Sequence, residues 1–355
     1  MSILPKKLSS GCLTFRRDDI IIADWRNLRE DRRHPGLAGL AYMKTYFVIN
    51  PAAGSGIDTN SLIPSVTEAA VNCGQEVFFY ETKCVGDAER FTKELLAENT
   101  SEELRFIACG GDGTFNEILN GAIGSPNAVI SVFPSGTGND FVRNFTEAGD
   151  FRDINALLQG SVIDCDAIEY SGVIDGDFRI RYCGNMFNIG FDCNVVDKTS
   201  ELKTKPLISG SFAYLMGVAV TLIKKKGADL KIVADGKVLC DGPLLLTSIA
   251  NGSYCGGGVK SNPYADVQDG KIDISVIKDL GRLRFITLFP KYQKGTHLDA
   301  PNIDDLVTNL KAEEITITPR RGVMRLCVDG EIYTTEGILF RIQPGAFRLL
   351  VPKKP

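Results

Sequence analysis

Three glycine-rich turns each follow a run of residues typical of a buried strand. The first spans residues 50–56 (NPAAGSG), the second spans 110–117 (GGDGTFNE) and the third spans 134–141 (PSGTGNDF). Glycine can adopt positive φ and lets a ligand approach the backbone closely, so that N–H groups can point at phosphate oxygens. A helix is predicted directly after the second turn, and its N-terminus would add a partial positive charge. Three such turns at one edge of a sheet predict a nucleotide phosphate site.

The turns do not match the common phosphate-binding fingerprints. The Walker pattern G-x-x-x-x-G-K is missing, and none of the three turns fits the dinucleotide pattern G-x-G-x-x-G. The sequence therefore predicts a different kind of phosphate-binding protein.

Two aspartates lie inside these turns, Asp112 in the second and Asp140 in the third. A carboxylate in a phosphate-binding turn repels the phosphate unless a cation lies between them, so Mg²⁺ is implied. Thr114 and Glu117 also fit the capping-box pattern S/T-x-x-E. Glu117 is therefore open to two interpretations, a helix cap or a ligand contact.

Strand and helix patterns alternate from residue 44 to residue 164. Such alternation predicts an α/β domain with a parallel sheet and helices on both faces, whose ligands lie at the carboxyl ends of the strands. The strand-like runs are 45–49, 76–81, 104–109 and 128–133, and the helical patterns are 62–73, 87–98 and 115–122.

The second half of the chain has a different pattern. Asp-Gly pairs recur five times after residue 170, several of them between short alternating runs, which is a strong signal for β-hairpins. We therefore expect residues 165–340 to form a mainly antiparallel β-sandwich domain with one helix near 209–225. Residues 341–355 are expected to form a last strand that returns to either domain.

Residues 1–43 differ from the rest, because charges of both signs alternate there without an apolar face. We expect this segment to be a dispensable extension, so that a chain beginning at Met43 would fold and keep its activity.

Composition excludes several classes of function. The chain has 355 residues, with 40 Lys+Arg against 44 Asp+Glu, and the net charge of −4 disfavours a nucleic-acid binder. Two histidines are too few for zinc sites with several imidazoles, and histidine-based triads are nearly excluded too. Ten cysteines without a C-x-x-C pair are typical of reduced thiols, so a cytoplasmic location is expected.

No run reaches the roughly 20 apolar residues of a membrane span. The nearest is 207–223, which ends in three lysines at 224–226 and fits either a buried helix or a helix that touches anionic lipid.

Taken together, the later motifs resemble the diacylglycerol kinase catalytic-domain family, which includes soluble bacterial lipid kinases and the sphingosine and ceramide kinases. The resemblance covers about residues 44–355. NAD kinases share its Gly-Gly-Asp-Gly-Thr core. The matching motifs are GGDGT-x-NE at 110–117, P-x-GT-x-NDF-x-R at 134–143, N-x-GFD at 188–192, GGG at 256–258, P-x-A-x-x-x-DG at 263–270 and DGE at 329–331.

The resemblance implies a role for each matching residue. Asp112, Asp140 and Asp164 would surround a catalytic Mg²⁺, and only the resemblance favours Asp164 over its neighbour Asp166. Glu331 would be the general base, although the sequence around it also fits a plain hairpin tip. A second, structural metal would bind at Asp266, Asp269 and Lys271, the first and last through backbone carbonyls. The ATP site would be lined by Asn50, Pro51, Gly54, Ser55, Gly56, Thr82, Gly111, Asp112, Gly113, Thr114, Asn116, Glu117 and Thr137.

The implied function is an ATP- and Mg²⁺-dependent lipid kinase that phosphorylates the hydroxyl of diacylglycerol or a similar lipid. Its partners would be ATP, a lipid substrate reached by transient contact with a membrane surface and, as in relatives, a second copy of the chain. Two alternatives stay open. An NAD kinase shares the second turn, and a non-catalytic regulatory module could keep the nucleotide site without transferring phosphate.

Overall fold

The computed structural model describes residues 20–22, 43–54, 56–145, 149–191, 193 and 227–354. Ser55, the helix predicted near 209–225, the lysines at 224–226 and nearly all of residues 1–43 lie outside the described residues, as does Asp192 of the N-x-GFD motif.

The N-terminal half is built on parallel strands in the order β3-β2-β4-β5, with β1 antiparallel at the edge beside β3. Strand β4 lies in the middle of this sheet, and all seven of its residues are buried. Its elements are β1 (Ile20–Ile22), β2 (Lys44–Ile49), α1 (Thr59–Cys73), β3 (Glu76–Glu81), α2 (Asp87–Glu98), β4 (Leu104–Gly110), α3 (Asp112–Ala122), β5 (Ala128–Pro134), a 3₁₀ turn (Phe141–Asn144) and α4 (Ile154–Leu158).

Local sequence explains where these helices begin and which face they bury. The Asp58 carboxylate accepts the N–H of Asn60 at the start of α1, and Gly74 ends that helix with φ of 67°. In α3, Phe115, Ile118, Leu119 and Ala122 recur at helical spacing and are buried against the sheet.

The C-terminal half is antiparallel. Strands β16, β15, β8, β11, β12 and β13 are neighbours in that order, while β14 joins β9 to β16 and β10 pairs with β9. Its elements are β6 (Ser161–Ile174), β7 (Asp177–Cys183), β8 (Met186–Gly190), β9 (Ala228–Ala234), β10 (Lys237–Leu244), β11 (Leu246–Ala250), β12 (Ile272–Ile277), α5 (Arg282–Lys294), a 3₁₀ turn (His297–Asp299), β13 (Val307–Ala312), β14 (Glu314–Pro319), β15 (Met324–Val328) and β16 (Glu331–Val351). The predicted fold class, a parallel α/β domain followed by an antiparallel β-sandwich, is confirmed.

Three of the Asp-Gly pairs form the tips of hairpins. Asp175, Asp235 and Asp329 each have φ between 45° and 50°, and the glycine after each also has positive φ, as a type I′ turn requires. The pair at 241–242 instead lies inside β10, and the pair at 269–270 lies in the loop before β12.

Strands β6 and β16 run through both halves of the molecule. Residues 164 and 165, where the sequence pattern changes, lie within β6, which pairs with β16 along most of its length. The end of β16 also pairs with β5 in parallel, with Leu349 opposite Ile130. The last strand therefore joins the sheet that carries the glycine-rich turns.

Within the described part of the chain, none of the helices combines the length and the apolar character that crossing a membrane requires.

Candidate active site

The three glycine-rich turns meet at one edge of the parallel sheet. The Asn50 N–H donates to the Cys109 carbonyl at 2.9 Å, and the Ser135 N–H donates to the Gly110 carbonyl at 2.9 Å. Gly54 has φ of 61°, and a Cβ added there would lie 2.2 Å from the Ser135 carbonyl oxygen. A Cβ on Gly136 would lie 2.5 Å from the Cα of Gly111. Only glycine permits these approaches, so the turns form one continuous backbone surface.

Side chains of two residues predicted for the nucleotide site tie the first turn to the second. The Asn50 amide Nδ2 donates to the Thr114 hydroxyl at 3.0 Å, and the Asn50 Oδ1 accepts the N–H of Ala52 at 3.0 Å. Thr82 follows β3 at the same edge of the sheet, and its N–H donates to the Ile49 carbonyl at 2.9 Å. These residues therefore shape the edge.

The other residues predicted for nucleotide contact differ in exposure. Asn116 is partly buried, and its amide donates to the Tyr182 carbonyl at 3.2 Å. Those whose surfaces face solvent are Pro51, Gly54, Gly56, Gly113 and Thr137.

The capping-box interpretation of Thr114 and Glu117 is wrong. Helix α3 already begins at Asp112 with Gly111 as its cap, so Thr114 lies inside the first turn. The Glu117 carboxylate instead accepts the N–H groups of Gly86 at 2.8 Å and Ala88 at 3.1 Å, at the start of α2. Glu117 therefore caps a neighbouring helix, and its contact with a nucleotide stays a prediction.

Asp112 and Asp140 face each other across Gly138. One Asp112 oxygen accepts the N–H groups of Asp140 at 2.9 Å and Phe141 at 3.2 Å. A Cβ on Gly138 would lie 2.9 Å from the other Asp112 oxygen and 3.4 Å from Asp140 Oδ2. The structure thus brings together two of the predicted catalytic carboxylates.

Asp140 is buried and incompletely bonded. Its Oδ2 accepts the N–H of Gly257 at 2.9 Å, whereas its buried Oδ1 has no hydrogen bond among the described residues. The guanidinium Nε of Arg143 lies 3.5 Å from that oxygen. Burial, followed by the negative charge of Asp112, raises the pKa of Asp140 to about 6. A cation that bound beside Asp112 and Asp140 would offset the repulsion between the two carboxylates.

Asp329 is a third carboxylate of the same cluster, and sequence reasoning gave it no catalytic role. Its Oδ1 accepts the Met186 N–H at 3.0 Å, and the Cys183 thiol donates to its Oδ2 at 3.1 Å. Asp329 as a whole residue is partly exposed, but its carboxylate is surrounded by protein atoms. This desolvation, followed by the charges of Asp112 and Asp140, raises the pKa of Asp329 to about 7.

Glu331, the predicted general base, lies two residues after Asp329. It is exposed and begins β16, opposite Val328 in the hairpin. Because Asp329 fastens the tip to β8, Glu331 is held at the end of the hairpin that reaches the acidic cluster.

Asp164 has different neighbours. Its side chain is exposed on β6, and its carbonyl accepts the Gln268 amide at 2.8 Å. The adjacent Asp166 is buried instead, and its carboxylate accepts the N–H groups of Gly270 at 2.7 Å and Gly345 at 2.8 Å. The contacts of both residues are thus with the loop before β12 and with β16. A role for Asp164 beside Asp112 stays a prediction.

The loop predicted to hold a structural metal is closed by internal partners. Asp266 accepts the Gln268 N–H at 3.1 Å. One Asp269 oxygen accepts the Lys271 N–H at 3.0 Å, and the other accepts the Lys311 ammonium. Both Asp269 oxygens thus have partners within the chain, and metal binding by this loop, with Asp266 and Lys271 acting through backbone carbonyls, stays a prediction.

The described residues contain no cluster of three or more His, Cys, Asp or Glu side chains that could hold a metal ion. Mg²⁺ usually binds proteins through one or two carboxylates and takes its remaining ligands from water and phosphate. Asp112 and Asp140 fit that manner of binding, since the buried Oδ1 of Asp140 has no hydrogen-bond partner among the described residues.

Two family models match most of the chain. Residues 44–170 match the diacylglycerol kinase catalytic domain, and residues 185–351 match the YegS C-terminal NAD kinase beta sandwich-like domain. Residues 44–170 therefore belong to the diacylglycerol kinase catalytic-domain family, and the chain is a lipid kinase.

Individual relatives agree with this assignment. The diacylglycerol kinase of Bacillus subtilis (strain 168) is 26% identical over 289 residues, which cover 80% of this chain and 88% of the relative. That of Staphylococcus saprophyticus is 29% identical over 287 residues, covering 80% and 87%. A crystal structure of a diacylglycerol kinase from Bacillus anthracis str. Sterne has the same fold, with a TM-score of 0.62, 21% identity and coverage of 88% of this chain and 98% of the other.

Proposed function

We propose that this lipid kinase transfers the γ-phosphate of ATP, with Mg²⁺, to the hydroxyl of diacylglycerol and so forms phosphatidic acid. The observation that carries the proposal is the pair Asp112 and Asp140 beside three fused glycine-rich turns. Phosphoryl transfer needs a positioned nucleotide, a cation that bridges phosphates and a carboxylate near the attacking hydroxyl. Each requirement has a candidate within this one edge of the molecule.

The glycine-rich turns would hold the phosphates of ATP. Backbone N–H groups of the turn at 110–113 lie at the start of α3, where the helix dipole favours negative charge. Asn50 and Thr114 would act by keeping the first two turns in register. Bound Mg²⁺ would supply charge neutralisation on the phosphates, and Asp112 and Asp140 would hold it.

Glu331 would accept the proton of the lipid hydroxyl. Its carboxylate is exposed at the start of β16, and the Asp329–Met186 hydrogen bond holds the hairpin tip against β8. General-base assistance of this kind is typically worth about 10² to 10⁴ in rate.

A small apolar cavity of about 40 Å³ lies beside α5 in the second half. Residues of α5, including Phe285, Leu288 and Tyr292, line it together with Leu246 of β11. His297 also lines the cavity, and both of its buried ring nitrogens have no hydrogen-bond partner among the described residues. Burial lowers the pKa of His297 to about 4, so the ring is neutral at pH 7. The apolar walls are compatible with contact to an acyl chain, but about 40 Å³ is too small to enclose one, so the cavity does not by itself select a lipid.

One short segment of the chain contacts both α5, which lines the cavity, and the acidic cluster. Lys260, whose N–H donates to the Gln293 carbonyl of α5 at 3.0 Å, lies three residues after Gly257, which binds Asp140. A lipid held beside α5 would therefore lie close to the segment that contacts the catalytic carboxylates. A homodimer, a cytoplasmic location and transient membrane contact are further parts of this proposal.

The test is transfer of labelled γ-phosphate from ATP, with Mg²⁺, to mixed micelles that carry diacylglycerol, phosphatidylglycerol or a sphingoid base, with NAD assayed in parallel. We expect label in phosphatidic acid. Label only in NAD would support the NAD kinase alternative. ATP binding without any transfer would support the regulatory module, and either result would overturn the proposal.

A further inference from the structure

Helix α5 exposes aliphatic side chains on the face that points away from the cavity. Leu283 is 83% exposed and Ile286 is 55% exposed, whereas Phe285 and Tyr292 of the same helix are buried. An ordinary surface helix places polar residues on its outer face. Burial inside the chain therefore does not account for Leu283 and Ile286.

The same helix is strongly cationic in an acidic protein. Its thirteen residues include Arg282, Arg284, Lys291 and Lys294 and no Asp or Glu, while the whole chain has a net charge of −4. Arg284, Lys291 and Lys294 are exposed together with Leu283 and Ile286. Positive charges thus flank the exposed aliphatic side chains.

The positions of the arginines oppose helix stability. Both lie in the first turn, where the partial positive charge of the helix terminus disfavours cations, and Gly281 makes no side-chain capping bond. The sequence at the start of α5 is therefore unfavourable for the isolated helix. A ligand surface with negative charge would offset that disadvantage.

We propose that the outer face of α5, formed by Leu283, Arg284, Ile286, Lys291 and Lys294, docks on a bilayer that contains anionic phospholipid. The two aliphatic side chains enter the boundary between headgroups and acyl chains, and the cations contact lipid phosphates. The inner face of the same helix lines the apolar cavity, so docking would place the cavity beside the membrane. The inference rests on the proposed function in one respect, since it gives the route by which a bilayer lipid would reach the site.

Carboxylates mark one edge of this surface. Arg284 donates to the Asn302 carbonyl at 3.3 Å, and Asp304 and Asp305 are exposed just beyond Asn302. Their charge would repel anionic lipid. Removing one of these negative charges should strengthen binding to anionic lipid, whereas removing a cation should weaken it.

The experiment is co-sedimentation of the full chain with vesicles, in the absence of ATP and diacylglycerol. One set of vesicles contains phosphatidylcholine only, and the other contains equal parts of phosphatidylcholine and phosphatidylglycerol. We expect tighter binding to the anionic vesicles, weakened by salt. The double variant Leu283→Ser/Ile286→Ser should bind about ten-fold or more weakly because it loses two inserted side chains. Val238→Ser, at a 59% exposed aliphatic position on β10, is the matched control and should bind like the wild type.

Charge variants give a second, independent readout. Arg284→Gln and Lys291→Gln should each reduce binding to anionic vesicles by roughly five-fold and leave binding to neutral vesicles unchanged. Asp304→Asn should increase binding to anionic vesicles. Turnover of a short-chain, water-soluble diacylglycerol should be the same in all these variants, since none of the altered residues lies in the candidate active site. Thermal unfolding checks that each variant is folded at the temperature of the assay.

The proposal is overturned if the wild type does not bind anionic vesicles, or if the double variant binds them as the wild type does. Binding of vesicles without phosphorylation of any lipid would support this surface and contradict the proposed function. Phosphorylation of short-chain diacylglycerol without vesicle binding would do the reverse.

Discussion

Asp140, in the third glycine-rich turn, and Asp273, in β12, are both buried carboxylates whose pKa is raised to about 6 by burial, but their surroundings differ. Lys311 lies 3.2 Å from Asp273 and also binds Asp269, so that region contains its own cation. Arg143 lies 3.5 Å from Asp140, but after burial the largest influence on the pKa of Asp140 is the like charge of Asp112, whereas for Asp273 it is the opposite charge of Lys311. Each of the two aspartates has one buried oxygen without a hydrogen-bond partner among the described residues.

This difference distinguishes an acidic group that stabilises a loop from the one proposed to bind Mg²⁺. Lys311 of the neighbouring strand β13 balances the charge of Asp273. Because Lys311 also binds Asp269, it holds the loop before β12 in place. Around Asp140 the like charge of Asp112 outweighs the charge of the half-exposed Arg143, which lowers stability unless a further cation binds. Such a site is suited to Mg²⁺ that arrives with a nucleotide.

The largest expected effect concerns Glu331, the exposed carboxylate at the start of β16, two residues after Asp329. Glu331→Gln should lower kcat by about 10² to 10⁴ with little change in ATP affinity, because the amide cannot accept the proton of the lipid hydroxyl. The measurement is steady-state lipid phosphorylation together with ATP binding. Glu336→Gln, at an exposed position of the same strand, is the control and should leave kcat unchanged. Wild-type turnover by Glu331→Gln would show that this residue is not the base.

Asp140→Asn separates activity from stability. Loss of a carboxylate that holds Mg²⁺ should lower kcat by about 10² or more, while relief of repulsion with Asp112 should leave the melting temperature unchanged or raise it. Asp269→Asn should show the opposite behaviour, with activity kept and stability reduced, since Asp269 binds Lys311. If Asp140→Asn unfolded at a lower temperature and Asp269→Asn lost activity, the contrast between the two regions would be wrong.

Removal of the internal cation should have a smaller effect. Lys311→Met leaves the carboxylate of Asp273 buried without its partner, which should lower the free energy of unfolding by about 1–3 kcal/mol. Urea unfolding measures this change. Lys237→Met, at an exposed position on β10, is the matched control and should unfold like the wild type. Equal stability of all three proteins would contradict the structural role of Lys311.

The last prediction concerns the pH dependence of stability. Because the pKa of Asp140 is raised from 3.8 to about 6, the folded chain binds more protons than the unfolded chain between these pH values. Without Mg²⁺, the contribution of Asp140 to the free energy of unfolding should therefore fall by up to about 3 kcal/mol as the pH rises through this window. Urea unfolding across the window should show a flatter profile for Asp140→Asn. An identical profile in the variant would refute this account of Asp140.

Local patterns predicted much of this fold. The strand 76–81 and the helix 87–98 have the predicted bounds, and the Asp-Gly hairpins at 175, 235 and 329 formed where positive φ was expected. These features depend on residues close together in the chain, which a single sequence displays directly.

The features that local patterns did not predict depend on distant residues. Glu117 caps a helix whose start lies about thirty positions earlier, and nothing near Glu117 indicates this. Asp329 looks like an ordinary turn residue until β8 and the second glycine-rich turn are placed beside it. Likewise, the burial of Asp166 beneath Gly270 and Gly345 results from pairing of β6 with β16, far apart in the chain.

The most direct test of the central claim is a Mg²⁺ titration of lipid phosphorylation by the wild type and by Asp140→Asn, with labelled ATP and diacylglycerol micelles. We predict that the wild type labels phosphatidic acid only when Mg²⁺ is present, and that the variant, although folded, transfers about a hundredth as much or less. Equal labelling by the two proteins over the whole titration would contradict the claim that the open carboxylate pair is the catalytic centre.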